Sequence, residues 1–333
     1  MQHGTPRPGD AGGDPAARPG RLGVGVVSGG RVGAVLGAAL RGAGHAVVGV
    51  SGVSQRTRER ADALLPGVPL LEVPEVVRRA ELVLLAVPDD VLPGLVAGVA
   101  ATGGWQAGQL VVHTAGIHGV EVLAPARAAG AIPLAVHPAM TFTGTSLDLA
   151  RLVDCPFAVT APGPVLPVAQ ALVVEMGGEP VVVAEEDRAT YHAALSHGAN
   201  HVVTLVAQAR ELLAAAGVAD PGRALAPLLH AALDGALRAG DDALTGPVAR
   251  GDVGTLAAHR AALADHARRT GSDDVPAVHR ALSRATADRA LARGRLSSDV
   301  VARLLAVLAE PAPGAGPGAG PGAGAPGPGD DAV

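Results

Sequence analysis

Hydrophobic and polar positions divide the chain into two regimes. From Leu22 to about Ala184, short apolar runs alternate with segments of helical spacing. Leu22–Val27, Ala46–Val50, Val68–Val73, Leu82–Val87, Leu110–His113, Ile132–Val136, Phe157–Thr160 and Val181–Ala184 read as buried strands. Helical periodicity falls at Arg31–Leu40, Gln55–Leu65 and Val165–Met176. This alternation predicts an α/β class: a doubly wound, mainly parallel sheet of about eight strands. The basic dinucleotide fold has six strands, so the last two read as an extension. After Glu185 the Val-rich runs stop. Residues 186–216, Pro221–Arg238, Val253–Arg269, Pro276–Arg293 and Ser298–Leu308 read as helices, an all-α C-terminal domain. The expected domains are therefore residues 21–185 and 186–310. Residues 1–20 are Pro/Gly-rich and residues 311–333 carry a PGAGPGAGPGAG repeat, so both tails are expected to be disordered.

The first strand and helix flank Ser28, Gly29, Gly30, Arg31, Val32 and Gly33, one residue short of the fingerprint G-x-G-x-x-G. Strand, glycine turn and helix are the context that gives this motif meaning, a Rossmann dinucleotide site. Gly30 would let the backbone approach a pyrophosphate, and Gly33 would let the helix pack close to the strand. Free N–H groups of the first helical turn would face the phosphates. Ser28 replaces the first glycine, and its hydroxyl can itself donate to phosphate.

The end of the second strand bears on which nucleotide is held. An acid there would accept from the ribose hydroxyls of NAD. The chain instead runs Ser51-Gly52-Val53-Ser54-Gln55-Arg56-Thr57-Arg58, hydroxyls and arginines with no acid. Such a loop suits a 2′-phosphate, which a guanidinium grips in bidentate fashion, and NADP(H) is the expected cofactor. The plainer alternative is that Arg56 and Arg58 solvate a helix start. Ala86, Val87 and Pro88 end the LVLLAV run, and Thr114 follows His113, both at strand ends where ligands of open α/β sheets lie. Asp89 and Asp90 read as caps of the next helix. His137, also at a strand end, either meets a substrate or sets its loop.

The first long helix of the α region holds Tyr191, then His192, Ser196 and Asn200 four residues apart and so on one face. His197 and His201 form an i,i+4 pair with no third metal ligand evident. Farther on, Leu244-Thr245-Gly246-Pro247-Val248-Ala249-Arg250-Gly251-Asp252 breaks the helical pattern with a shaped loop. Arg250 either binds a substrate carboxylate or pairs with Asp252.

Composition narrows the partners. The 333 residues are 48% hydrophobic with net charge −5, without a basic tract and with few aromatics, which argues against nucleic acid. No apolar run is long enough to span a bilayer and no signal pattern opens the chain, so a cytoplasmic protein is expected. Cys155 is the only cysteine, which leaves no intrachain disulfide or cysteine-based metal cluster. All 26 basic residues are arginine, so no lysine acid or Schiff base is available.

Taken together, the glycine turn, LVLLAVPDD, HTAG, HPAMTFTG, YHAALSHGAN and LTGPVARGD resemble Rossmann-like proteins with a DUF2520 domain. These sit within the 6-phosphogluconate dehydrogenase-like superfamily and are similar to ketopantoate and pyrroline-5-carboxylate reductases. Ketopantoate reductases carry a Lys-x3-Asn-x3-Asn helix face, and His192, Ser196 and Asn200 fall at that spacing, with His192 where the lysine stands. The resemblance implies that His192 protonates a nascent alkoxide, that Ser196 and Asn200 hold and orient the substrate, and that the loop of Thr245 and Arg250 closes over it. Histidine can serve as proton donor because imidazole titrates near neutral pH. The activity implied is an NADP(H)-dependent reductase of a small oxo acid, with 2-oxopantoate as leading substrate. Reduction of a pyrroline-type imine and a non-catalytic NADP(H)-binding sensor or partner are the alternatives. A homodimer through the helical domain is expected, because small α domains often complete their cores across a two-fold.

Overall fold

The computed structural model describes residues 21–309. The expectations for the two tails lie outside the described residues. The chain divides into two compact units that meet between His201 and Val202.

The first unit is built on a seven-stranded sheet. Its strands are β1 (Gly23–Val27), β2 (Ala46–Val50), β3 (Leu82–Leu85), β4 (Leu110–His113), β5 (Ile132–Pro138), β6 (Pro156–Thr160) and β7 (Glu179–Val182), ordered β2-β1-β3-β4-β5-β6-β7. Neighbouring strands pair in parallel except β5 with β6, which is antiparallel. The predicted alternation therefore holds, with β6 and β7 extending the sheet beyond β5.

Helices lie between the strands: α1 (Arg31–Gly42), α2 (Gln55–Leu64), α3 (Val73–Arg79), α4 (Leu92–Ala101), α5 (Ala124–Ala128), α6 (Leu147–Arg151) and α7 (Leu166–Glu175). The sheet separates two cores because successive side chains of a strand point to opposite faces. Val24, Val26, Leu82 and Leu84 enter one core with Leu36 and Leu172, while Val27, Val83 and Leu85 enter the other with Val77 and Val96. Each such buried Val or Leu contributes roughly 1.5–3 kcal/mol.

Two expectations are corrected. The sheet has seven strands rather than eight, because 68–73 forms only an isolated bridge between Val50 and Leu70. Pro69 has no N–H to donate, and α3 already begins at Val73 with a proline in its first turn, which leaves too short an extended stretch. Asp89 and Asp90 do not cap the following helix. Its N-cap is Val91, with no side-chain cap bond.

Past β7 come α8 (Arg188–Leu195) and α9 (His201–Ala215), separated by a π-helical turn at Ser196–Asn200 where one continuous helix was expected. The composition shifts at residue 186, yet α8 lies in the first unit. Arg188, 1% exposed, donates to Ala135 O of β5 at 3.0 Å and Ala158 O of β6 at 3.2 Å.

The second unit holds most of α9 with α10 (Pro221–Ala239), α11 (Gly246–Ala249), α12 (Val253–Thr270), α13 (Asp274–Ala292) and α14 (Ser298–Ala309). Leu256, Ala287, Val301, Leu304 and Leu308 form its core. Helix α10 buries none of its residues, and Leu228 and Leu237 are exposed.

Candidate functional site

The turn after β1 is tied down by the end of β2. Ser28 N–H donates to Ser51 Oγ at 2.9 Å, and Gly29 N–H to Ser51 O at 2.7 Å. Ser28 adopts φ 74°, the left-handed conformation that the first glycine of the fingerprint would take without strain. The three positions at Gly29, Gly30 and Gly33 differ in what surrounds them. A Cβ on Gly33 would strike Ser28 O and meet Ala86 Cβ at 3.0 Å, and one on Gly29 would meet Val50 Cγ2 at 2.8 Å. A Cβ on Gly30 would find only Ser28 Oγ, at 3.4 Å. Gly29 and Gly33 thus serve packing, and Gly30 borders open space. Gly30 also N-caps α1 without a side-chain bond, so the amides of Arg31, Val32 and Gly33 begin a helix with no acid in its first turn. This arrangement fits a diphosphate.

Beyond β2, Ser54 is the N-cap of α2: its hydroxyl accepts from Thr57 N–H at 3.2 Å. Arg56 is exposed. Arg58 donates to Gly52 O at 3.4 Å. A residue absent from the sequence-derived set, Arg60, lies one helical turn past Arg56. Its Nε rests against Gly144, where φ is +79°, and the Cγ of Arg31 lies 2.8 Å from where a Cβ of the same glycine would stand. Two arginines thereby meet over one glycine. Among the described residues neither has a carboxylate partner. The loop beneath them is fastened by Asp148, which is fully buried and accepts from Gly144 N–H at 2.7 Å and Thr143 N–H at 2.8 Å. Burial alone would raise its carboxyl, but the bonds from Gly144 and Thr143 outweigh it and hold it below the usual carboxylate range.

A cavity of about 350 Å³ lies between the end of β5 and the α8–π turn segment, lined by His137, Met140, Thr141, His192, Ser196 and Asn200 among others. His192, Ser196, Asn200 and His137 are thus brought together. His137 Nδ1 lies 3.0 Å from the Tyr191 hydroxyl, and its ring stands edge-on to His192 at 6.2 Å. Asn200 Nδ2 donates to Ser196 Oγ at 3.3 Å. Burial first, then the charges of Arg188 and His192, lower His137 to about 4, so its imidazole is neutral at pH 7. Burial likewise raises the Tyr191 phenol.

Gly116, in the turn after β4, is a second residue that sequence reasoning passed over. A Cβ there would stand 2.6 Å from His192 Cδ2 and 3.0 Å from His137 Nε2, so only glycine lets both imidazoles close on this turn. Its signal was the HTAG motif itself, read for its polar members. His113 of that motif does not face the crevice. It is fully buried, with Nε2 2.8 Å from Gly119 O and Nδ1 accepting from Ala115 N–H at 3.2 Å, and burial lowers it to about 3. Thr114 is half-buried, and its N–H donates to Leu85 O at 3.1 Å. Ala86 and Val87 are half-buried and Pro88 exposed.

The remaining candidates belong to the second unit. Thr245 is the N-cap of α11 and lines a cavity with Leu205, Val248, His259 and His279. Arg250 follows α11 and is exposed. Asp252 does not bond to it, being the N-cap of α12 through Thr255 N–H at 2.9 Å. His197 and His201 approach with Nδ1 atoms 3.2 Å apart. Among the described residues no group of three or more side chains could hold a metal ion. No described helix is long and apolar enough to cross a membrane.

The family comparisons match the two regimes of the chain. The Rossmann-like domain matches residues 7–138 and the domain of unknown function DUF2520 matches residues 155–286. The chain belongs to the Rossmann-like proteins with a DUF2520 domain. In this Rossmann-like DUF2520 protein the second match begins before β6, so the sheet extension travels with the helical part. No curated protein matches its sequence. Its fold is shared with a candidate NADP oxidoreductase from Bacteroides fragilis, 22% identical over 80% of this chain and 98% of that one, TM-score 0.63. A reductive aminase from Aspergillus terreus in complex with NADPH and ethyl levulinate is 17% identical over 86% and 99%, TM-score 0.60. An imine reductase from Myxococcus stipitatus in complex with NADP+ is 19% identical over 85% and 99%, TM-score 0.55.

Proposed function

We propose that this protein is an NADP(H)-dependent reductase of a small oxo acid. One observation carries the reading: the open glycine turn and the His-lined cavity sit at adjacent strand ends of one sheet edge. Gly33 packs on Ala86 at the end of β3, and Gly116 after β4 packs on His137 of β5, in the strand order β1-β3-β4-β5. That edge is where open α/β sheets bind ligands. The glycine turn would hold the diphosphate, and Arg31 with Arg60 and Arg56 would take the 2′-phosphate. The fold neighbours in complex with NADPH and NADP+ support the same cofactor.

NADPH, when bound, supplies the hydride. His192 delivers the proton to the carbonyl oxygen, while Ser196 and Asn200 hold that oxygen by hydrogen bonds. His137, neutral and fixed by Tyr191, sets the position of the His192 ring. The oxo acid to assay first is 2-oxopantoate. Imine reduction is the second reading, favoured by the imine reductase and reductive aminase neighbours. A homodimer belongs to the proposal, supported by the apolar, unburied side of α10. Following NADPH absorbance with 2-oxopantoate, other 2-oxo acids and cyclic imines tests the function. Tight NADPH binding with no oxidation of it by any of them would leave a binding protein instead.

A further inference from the structure

Arg188 is buried without a carboxylate against it. Its Nε donates to Thr160 Oγ1 at 2.7 Å and its Nη2 to the carbonyls of Ala135 and Ala158. Its Nη1 is the single buried side-chain nitrogen or oxygen without a partner among the described residues. The charge of Glu185 acts on it, yet that carboxylate is taken up by Val120 N–H at 2.7 Å and Glu121 N–H at 3.1 Å. Burial lowers the guanidinium only to about 10, so it stays charged at neutral pH.

This cation is tied to the elements that carry the cavity's two histidines. Ala135 precedes His137 by two residues in β5, and Arg188 lies one helical turn before His192. Its charge is felt at His137, Tyr191 and His113. No carboxylate lines the cavity to balance it.

We infer that Arg188 fixes the substrate class: the cavity takes a carbonyl compound, neutral or anionic, and rejects a protonated imine. The inference deepens the reductase proposal and rests on it. Hydride addition to a carbonyl forms a C–H bond, breaks the C=O π bond and leaves the electron pair on oxygen, where the proton then arrives; NADPH becomes NADP+. Negative charge grows on that oxygen, and a buried cation favours it. A protonated imine enters already positive and meets a like charge held in the adjoining core. Burial chiefly, with the positive field adding to it, keeps the neighbouring imidazoles of β4 and β5 neutral.

The test compares kcat/KM for NADPH-dependent reduction of pyruvate and 2-oxobutyrate with that of 1-pyrroline, at a pH where the imine is protonated. The wild type is expected to prefer the oxo acids by at least about tenfold, the scale of one partly screened charge. Arg188→Lys should keep that preference, and Arg188→Met should narrow it by about tenfold. NMR titration of His137 reads the field without turnover: its pKa should rise in Arg188→Met. Wild-type preference for 1-pyrroline overturns the inference. So does an unchanged ratio in Arg188→Met whose His137 has shifted. Where Arg188→Met does not fold, the wild type and Arg188→Lys still decide. Absence of turnover on every substrate fails the reductase proposal separately, and binding then decides the charge rule. Oxamate, and not protonated pyrrolidine, should perturb the His137 and His192 resonances of NADP+-loaded protein; the reverse overturns it.

Discussion

The Tyr191 hydroxyl and His137 Nδ1, 3.0 Å apart, join the first turns of α8 to the end of β5 with rings edge-on at 5.6 Å. With His137 neutral, that bond fixes which ring nitrogen is left toward Gly116 and the cavity. Tyr191→Phe keeps the ring contact and removes the bond. Turnover should fall by about tenfold, the worth of one buried hydrogen bond, while NADPH affinity holds. Stopped-flow turnover beside a fluorescence titration of NADPH checks both.

The two depressed histidines set a pH dependence of stability. His113 and His137 protonate in the folded chain only at about 3 and about 4, below the ordinary imidazole value of 6.5. Between about pH 6.5 and about pH 4 the unfolded chain therefore binds more protons, so stability is lost as pH falls through that window and regained as it rises. Urea unfolding across that range should show a midpoint that drops on acidification. His113→Asn should flatten the curve, and a profile flat in the wild type would rule the linkage out.

Gly116→Ala places a methyl 2.6 Å from His192 Cδ2. The imidazole has to move, and overpacking of this kind costs roughly 1–3 kcal/mol. Turnover is expected to fall by more than the stability loss explains, with NADPH binding nearly unchanged, because the glycine turn after β1 is not touched. A crystal structure of the variant with His192 in place would contradict this.

The glycines of the phosphate turn should separate in their effects. Gly33→Ala collides with Ser28 O and is expected to destabilise the fold. Gly30→Ala meets only Ser28 Oγ at 3.4 Å, so the protein should fold normally and bind NADPH at least about tenfold more weakly, since the methyl occupies the ligand's side. Thermal melts with and without NADPH distinguish the two.

Arg60→Ala removes one of the two arginine side chains that approach Gly144. Loss of one charge-assisted phosphate contact is worth about ten- to hundredfold in affinity. The loss should fall on NADPH and spare NADH. Equal loss for both nucleotides would show that Arg60 supports the loop instead.

Strands could be read from the sequence because their signal is local. Leu82–Leu85 is buried on both faces and so is an unbroken apolar run, and Leu110–Val112 before His113 is another. The 68–73 stretch is also rich in Val and Leu, but Pro69 and the start of α3 decide its fate, and neither enters an apolar count. The glycine turn was legible since its geometry lies within six consecutive residues. Gly116, Arg60 and Arg188 were not, because each acts on a partner supplied by a distant segment: His192, Gly144 and the carbonyls of β5 and β6. The π turn leaves no mark in the residue pattern. The i,i+4 spacing of His192, Ser196 and Asn200 reads as a plain helix face, whereas the backbone there is wound more loosely.

Asp148 fastens a short strip of chain that begins at His137 and Thr141 in the cavity and passes Gly144 beneath the paired arginines. Whatever settles onto those arginines therefore steadies the same ribbon from which the cavity wall is hung. An occupant at one end and an occupant at the other would share a single span of backbone, so each would strengthen the other's hold by the same factor.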